Sequence, residues 1–289
     1  MFSDFHIRSA TPQDLPILQG LIGFEFFVHR HLDWNSPLDW ISHAPFMVLE
    51  QNQRIVAALA CPEEPPGVSW IHLFVSIAEF KPAQIWPILF SSVLDFLKSS
   101  PQIEWVSAIS LQTWFTSILQ DHGFQHFQDI VVLDRETNSQ NSSIPNTGLP
   151  FQIRPMESDD LPVVADVDFS SFHPLWRNTL EVLSEAWRQG AYSTVVEVDD
   201  KIIAYQICTS SIFNAHLARL AVLPHFQNQG IGTALINDLC SYFYQQKIMH
   251  LSVNTQSDNA SSLALYHKAG FVLTGDSYPV FVYPQAAFR

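Results

Sequence analysis

The segment ARLAVLPHFQNQGIGT, residues 218–233, decides the fold of this sequence. Its first five residues have the composition of a strand, and Pro224 ends that strand. A helix follows Gly230, because the apolar residues beyond this glycine recur at helical spacing and give the helix one face to pack on a sheet. The apolar positions are Ile231, Leu235, Leu239, Tyr242 and Phe243.

The two glycines of this segment suit an anion. Gly230 and Gly232 let the backbone approach a ligand, and the free N–H groups of a helix N-terminus carry about half a positive charge. The loop lacks the Lys and Ser/Thr pair of a phosphoryl-transfer loop and the third glycine of a dinucleotide fingerprint. In isolation, two glycines that open a helix are more often plain turn chemistry. The loop predicts a pyrophosphate site only together with the motifs that follow.

A second motif lies downstream. Residues 251–253 read as a strand and residues 259–269 as a helix, with Ser257 or Asp258 as its cap and Gly270 as its end. Asn259 and Tyr266 are seven residues apart, close to two helical turns, so both can face one ligand. In isolation, Tyr266 is more often a core tyrosine.

An internal repeat sets the domain organisation. FHIR at residues 5–8, followed by DLP at 14–16, returns as FQIR at 151–154 and DLP at 160–162, an offset of 146. Residues 137–150 are polar and rich in turn-forming residues, which predicts a linker between domains at 1–136 and 151–289. Strand and helix patterns alternate in each half, which favours a mixed α/β sheet.

These motifs resemble the GNAT superfamily of N-acetyltransferases. The resemblance rests on RLAV at 219–222, Gln-x-x-Gly-x-Gly from Gln227, Asn259, Leu265-Tyr266 and Gly270-Phe271. It implies an α/β (α+β) fold of two tandem GNAT-like domains. Each would have a central mixed, mostly antiparallel sheet flanked by helices.

The resemblance also implies that acetyl-CoA is the co-substrate. The backbone of Leu220, Ala221 and Val222 would pair with its pantetheine arm, and Asn259 would bond that arm again. Tyr266 would be the acid that protonates the departing thiolate, in a direct attack by an amine. The loop that would hold the pyrophosphate consists of Gln227, Asn228, Gln229, Gly230, Ile231, Gly232 and Thr233.

The general base has two candidates. His216 lies six residues before Val222, where histone acetyltransferases of the superfamily carry a glutamate, and an imidazole can accept a proton there. A histidine facing solvent on a strand is the more common reading. Glu197 is the second candidate, although a solvated edge residue is more common. Phe172 and Trp176 either wall the acceptor pocket or pack the core.

The first copy lacks the features of the second. The offsets from Val222 place Ala83 and Ile85 where the loop glycines should be. Counting back from Gly123 places Leu119 at the position of Tyr266 and Gln112 at that of Asn259. The first copy is therefore expected not to bind CoA.

Composition bounds the partners and the compartment. A net charge of −14 with no basic stripe argues against nucleic acid. No run of about 18 apolar residues is present to span a membrane. Cys61, Cys208 and Cys240 are widely spaced among apolar neighbours, which indicates a reduced, cytoplasmic protein without metal-binding spacing.

The sequence thus predicts transfer of an acetyl group from acetyl-CoA to a primary amine on a small molecule, a peptide, a protein N-terminus or a lysine. A binding module that senses acyl-CoA without turnover is the alternative, and the presence of Tyr266 argues against it. A transferase for longer acyl chains also stays open. The acceptor and the oligomeric state have no signature in the sequence.

Overall fold

The computed structural model describes residues 5–137 and 150–284 of the chain. Two compact units are present: Met1–Gln128 together with Tyr278–Arg289, and Asp129–Ser277. Each unit combines β-sheet with helices, the α/β class that the sequence predicts. Residues 138–149 of the predicted linker lie outside the described residues.

The first unit contains a five-stranded antiparallel sheet in the order β1-β3-β4-β6-β2. Its core includes fully buried aromatic side chains, among them Phe74, Trp86 and Phe115. The strands are β1 (Phe5–Ser9), β2 (Phe27–Arg30), β3 (Phe46–Gln51), β4 (Arg54–Ala60), β5 (Val68–Trp70), β6 (Leu73–Ser76) and β7 (Trp105–Ile109), and the helices are α1 (Leu15–Phe24), α2 (Pro82–Lys98) and α3 (Thr113–Asp121).

The second unit contains strands in the order β8-β13-β12-β11-β10-β9, antiparallel except for the β12–β13 pair. The strands are β8 (Gln125–Glu136), β9 (Gln152–Pro155), β10 (Tyr192–Val198), β11 (Lys201–Ser210), β12 (Asn214–Val222), β13 (His250–Gln256) and β14 (Val272–Tyr283). The helices are α4 (Leu161–Ser171), α5 (Leu180–Gln189), α6 (Ile231–Gln245) and α7 (Ala260–Lys268).

The edges of the two units differ from the ranges that the repeat predicts. Residues 130–136 of β8 pair with β13, so this part of the strand belongs to the second unit. Residues 280–283 of β14 pair with β7, so the end of the chain belongs to the first unit. The backbone polar groups of a strand need ladder partners, and these pairings override a boundary drawn at the linker.

The internal repeat extends to one ion-pair arrangement. Arg154 donates two hydrogen bonds to Asp160, at 2.6 and 2.8 Å, and its Nε donates a third to Glu197 at 2.9 Å. Glu197, the second candidate base, therefore forms an ion pair with Arg154 on β9. The same arrangement joins Arg8, Asp14 and Glu50 in the first unit.

Helix α6 has the buried face that its sequence predicts. Leu235 and Leu239 are fully buried, and Ile231 and Phe243 are 1% exposed. The apolar residues at helical spacing thus lie in the core of the second unit. Because this face fixes the rotation of the helix, it also fixes the direction in which the first turn of α6 presents its N–H groups.

Candidate active site

The site is built around an open strand edge. The parallel ladder pairs residues 214–217 of β12 with residues 250–253 of β13 and then stops. Both strands continue, β12 to Val222 and β13 to Gln256. The two strands therefore diverge, and the last five residues of β12 have no strand partner on that side within the described part of the chain.

Two peptide groups face this open edge. Leu223 N–H donates to Ile203 O on β11 at 2.9 Å. Because peptide groups alternate sides along an antiparallel strand, Ala221 also faces β11, whereas Leu220 and Val222 face the opening. Of the three backbone positions named from the sequence, Leu220 and the N–H of Val222 face the opening, while Val222 O already accepts from Gln227 Nε2 and Ser171 Oγ.

A loop of free N–H groups follows the open edge. Asn228 and Gly230 have φ values of 60° and 82°, the left-handed region that turns successive N–H groups the same way. The first helical bond of α6 runs from Ala234 N–H to Gly230 O. Among the residues that the structure describes, nothing accepts from the N–H groups of residues 228–233. Unpaired N–H groups and the positive end of the helix dipole together favour a negatively charged group.

The glutamines of the loop maintain its shape. Gln227 Nε2 donates to Val222 O and Gln229 Nε2 donates to His225 O, both at 2.9 Å. These side chains bond to carbonyl groups and leave the N–H groups of the loop free. Ile231 anchors the first turn in the core, where it is 1% exposed.

Gly232 brings α6 and α7 together. A Cβ at this position would lie 3.1 Å from Cδ2 of Leu265, so a larger residue would push the two helices apart. Leu265 directly precedes Tyr266 on α7. The second glycine of the motif therefore links the anion-binding loop to the helix that carries the predicted acid.

Tyr266 has a ring that is buried in the core and a hydroxyl group that forms no hydrogen bond within the described residues. It is 6% exposed and its ring packs against Phe271, with ring centroids 5.7 Å apart. Burial raises the pKa of Tyr266, so the phenol is protonated at neutral pH. Within the described residues, no group bonds to its hydroxyl.

Asn259 caps α7. Its Oδ1 accepts from Ser262 N–H at 3.1 Å and from Ser261 Oγ at 2.9 Å. The sequence predicts Ser257 or Asp258 as the cap, and this prediction is wrong because the helix begins at Ala260, directly after Asn259. The Nδ2 of Asn259 is 3.3 Å from Gln256 Oε1. The Nδ2 group of Asn259 thus takes no part in the capping bonds, which are made by Oδ1.

His216 lies where the β12–β13 ladder is about to end. Its Nδ1 is 2.9 Å from Ser252 Oγ on β13, its ladder partner. Burial lowers the pKa of His216, so the ring is neutral at physiological pH. The next ladder pair, Leu217 with Val253, is the last before the strands diverge.

His216 and Tyr266 belong to opposite faces of the sheet. On β11, Tyr205 bonds to Asp168 of α4, and Gln206 bonds to Asp238 of α6. Side chains alternate along a strand, so Thr209 and its partner His216 face the same side as Tyr205. Leu217 and Tyr266 share the core cluster on the α6 side.

A buried charge network is the feature that sequence reasoning missed. The carboxylate of Asp168 is fully buried and accepts from Nε and Nη2 of Arg219, at 2.8 and 2.9 Å. Tyr205 OH and Asn178 N–H donate to the same carboxylate. An arginine inside an otherwise apolar strand was the available signal, because a buried guanidinium needs an acceptor.

Arg219 also holds the segment that follows α4. Its Nη2 donates to Trp176 O at 2.5 Å, and its guanidinium carbon lies 3.5 Å from the centroid of the Phe172 ring. Phe172 and Trp176 are half-buried, so neither is a full core residue. Arg219 thus holds residues 172–178 against β12, at the position directly before Leu220.

The equivalent edge in the first unit is covered by the chain itself. Strand β2 pairs with β6 across residues 73–76, which correspond to residues 220–223 in the repeat. Helix α2 starts at Pro82 and includes Ala83 and Ile85, so no loop precedes it at these positions. Leu119 is fully buried at the position of Tyr266. The first unit has neither an open edge nor a phosphate loop there.

Within residues 5–137 and 150–284, no three His, Cys, Asp or Glu side chains are grouped to hold a metal ion. None of the described helices combines the length and the apolar character needed to cross a membrane.

Comparison with known proteins gives one family match within the chain. Residues 161–271 match the acetyltransferase (GNAT) family. The matched residues lie within the second unit, which is therefore similar to this family over most of its length.

Two curated relatives share one description, [ribosomal protein bS18]-alanine N-acetyltransferase. The protein from Salmonella typhimurium is 32% identical over 73 residues, 25% of this chain and 49% of that protein. The protein from Escherichia coli is 25% identical over 119 residues, 41% of this chain and 79% of that protein. The chain therefore spans about half the length of the first relative and about four fifths of the second.

A solved structure matches over nearly the full length of both chains. It is a tandem GNAT protein from the clavulanic acid biosynthesis pathway, with a TM-score of 0.64 and 12% identity. The match covers 96% of this chain and 98% of the other. At this identity the likeness shows the fold alone, and that fold is the tandem arrangement predicted from the repeat.

Proposed function

We propose that the second unit transfers an acetyl group from acetyl-CoA to a primary amine. The observation that carries this proposal is the junction of an open strand edge with a loop of free N–H groups, beside the unbonded hydroxyl of Tyr266. An extended arm ending in a pyrophosphate fits the edge and the loop. A nucleotide phosphate alone would leave the open edge of β12 without a role.

The fit to CoA rests on the backbone. Residues 228–233 would bond the pyrophosphate with N–H groups, while Gln227 keeps the loop folded against β12. Leu220 and Val222 would pair with the pantetheine arm, and the amide of Asn259 would bond it from α7. When bound, acetyl-CoA supplies an activated acyl thioester. The chain therefore needs no nucleophilic side chain of its own.

Tyr266 is the proposed acid. A buried phenol with a raised pKa keeps its proton until a strong base appears beside it, and a thiolate that leaves a thioester is such a base. His216 is the proposed base on the other face of the sheet. Its ring is neutral, so it can accept the proton that the attacking amine releases.

Replacement of Tyr266 tests the proposal. Tyr266→Phe keeps the packed ring and removes only the hydroxyl, so we expect kcat to fall about 100-fold with little change in the Kd for acetyl-CoA. Tyr244→Phe is the matched control, because Tyr244 lies half-exposed on α6. Undiminished acetylation across a panel of amines would remove Tyr266 from the mechanism. Acetyl-CoA binding without turnover by the native protein would favour the sensor alternative.

The acceptor that we would test first is a peptide α-amine. The two curated relatives are described as alanine N-acetyltransferases. An α-amine with a pKa of about 7.7–8.0 is partly neutral at physiological pH, whereas a lysine near 10.4 is almost wholly charged. A peptide beginning with alanine, a lysine-containing peptide with a blocked N-terminus and a polyamine would separate the acceptor classes.

The proposal also assigns a role to each unit and a cellular compartment to the protein. The domains are a first unit that does not bind CoA and a second unit that is catalytic. Cys61, Cys208 and Cys240 are free and buried, which supports a reducing, cytoplasmic setting. The net charge of −14 speaks against nucleic acid as a partner.

A further inference from the structure

Ser252 is a β13 residue with no assigned role, and its hydroxyl lies between two groups of β12. Its Oγ is 2.9 Å from Nδ1 of His216 and 3.3 Å from the carbonyl oxygen of Ala215. We propose that Ser252 is a positioning residue that fixes His216 as the tautomer with a bare Nε2. This inference rests on the proposed role of His216 as the base.

The tautomer follows from counting hydrogens. A serine hydroxyl has one proton to donate, and a carbonyl oxygen can only accept. We infer that the Ser252 hydroxyl donates to Ala215 O, so that its oxygen accepts from His216. Nδ1 of His216 must then carry the hydrogen, so Nε2 holds the lone pair. Nε2 is the nitrogen that can take a proton from an amine.

The strands fix this arrangement in space. His216 and Ser252 are partners in the parallel β12–β13 ladder, so their side chains lie on one face of the sheet. The flanking residues Ala215, Leu217, Leu251 and Val253 are buried at 2% exposure or less. Because side chains alternate along a strand, these neighbours pack in the core on the α6 side and fix the backbone that carries His216 and Ser252. No described residue bonds to Nε2.

The two proton transfers balance in charge, and exchange with solvent then returns His216 and Tyr266 to their starting forms. The amine nitrogen loses its hydrogen to Nε2, and the ring becomes an imidazolium with hydrogens on both nitrogens. Nδ1–H continues to donate to Ser252 Oγ, so this bond needs no rearrangement and gains strength from the new charge. The thiolate of CoA receives its proton from Tyr266, on the other face of the sheet.

The experiment reads the tautomer and the rate separately. Long-range proton–nitrogen NMR correlation of the full-length protein would identify which ring nitrogen of His216 carries the hydrogen, with His216→Asn to assign the signals. Initial rates with acetyl-CoA and an alanine-leading peptide would be measured for the native chain, Ser252→Ala and Ser252→Thr. Melting temperature and the Kd for acetyl-CoA would report on folding and cofactor binding.

We expect the Nδ1–H form in the native protein and a mixed population in Ser252→Ala. In Ser252→Ala, kcat should fall about tenfold, less than the roughly 100-fold loss typical of removing a general base. The Kd for acetyl-CoA should not move, and Ser252→Thr should restore most of the rate because it keeps the hydroxyl.

Two results would overturn the inference: an Nε2–H ring in the native protein, or an unchanged tautomer and rate in Ser252→Ala. Failure of the proposed function looks different. A native protein that transfers no acetyl group to any amine would remove the enzymatic role, while the NMR measurement would still decide the tautomer.

Discussion

The backbone of Gly230 has a φ of 82°, which side chains other than glycine rarely adopt. Gly230→Ala should destabilise the loop by about 1 kcal/mol and displace its N–H groups, so that the Kd for acetyl-CoA rises roughly tenfold. Isothermal titration calorimetry would measure this change. Gly275→Ala is the matched control, because Gly275 has a φ of 92° and open space around its Cβ position. Equal effects on binding by both variants would contradict a specific role for the loop.

His29 gives the first unit a dependence on pH. The ring is fully buried and stacks on Phe115 at 3.8 Å, and burial lowers its pKa from 6.5 to about 3. Between these two pH values the unfolded chain binds a proton that the folded chain does not. The free energy of unfolding should therefore decrease as pH falls from 6.5 to 3.

Urea unfolding across this range tests the contribution of His29. In His29→Gln, the pH slope should shrink by roughly one proton, because one buried histidine is gone. His6→Gln is the control, since His6 is exposed on β1 of the same unit. A slope that survives in His29→Gln would assign the effect to another group, such as the buried His31, whose pKa is also lowered.

The pairing of α4 with β12 rests on Asp168 and Arg219. Asp168→Leu should lower the free energy of unfolding by about 3 kcal/mol, because it leaves a buried guanidinium without its acceptor. Asp166→Leu, on the exposed side of α4, should have little effect. Chemical denaturation of both variants would compare them. Similar losses of stability would mean that the network contributes nothing beyond helix propensity.

Local patterns predicted the elements near the loop well. The helical face of α6 and the end of α7 at Gly270 both depend on residues that are close in sequence. The Asp168–Arg219 pair could not be read in this way, because its partners are 51 residues apart and only the packing of α4 on the sheet joins them.

The pairing of strand β2 also could not be predicted from the sequence. The four residues of β2 carry a strand composition, but the choice of β6 as partner is set by tertiary packing. In the second unit, the equivalent region forms a short 3-10 turn at Pro174–Trp176 instead. The sequence predicts from the missing glycines that the first unit does not bind CoA, and the pairing of β2 with β6 is a second, independent reason to expect this.

With both units considered, we expect the chain to bind one acetyl-CoA. The second unit offers an open edge and a phosphate loop, and the first unit offers neither. Calorimetric titration should give a stoichiometry near one, and Gly230→Ala should weaken that single event. Two equivalent binding events would show that β2 can leave its strand partner and that the first unit takes up CoA.

Strand β2 has a consequence for any attempt to repair the first unit. Inserting glycines ahead of α2 and a tyrosine at Leu119 would recreate the motif in sequence but not the groove. The four backbone pairs between β2 and β6 would still cover the edge. The strand β2 would have to be deleted or moved before the edge of β6 could pair with a ligand. We therefore expect that point mutations alone would not give the first unit a CoA site.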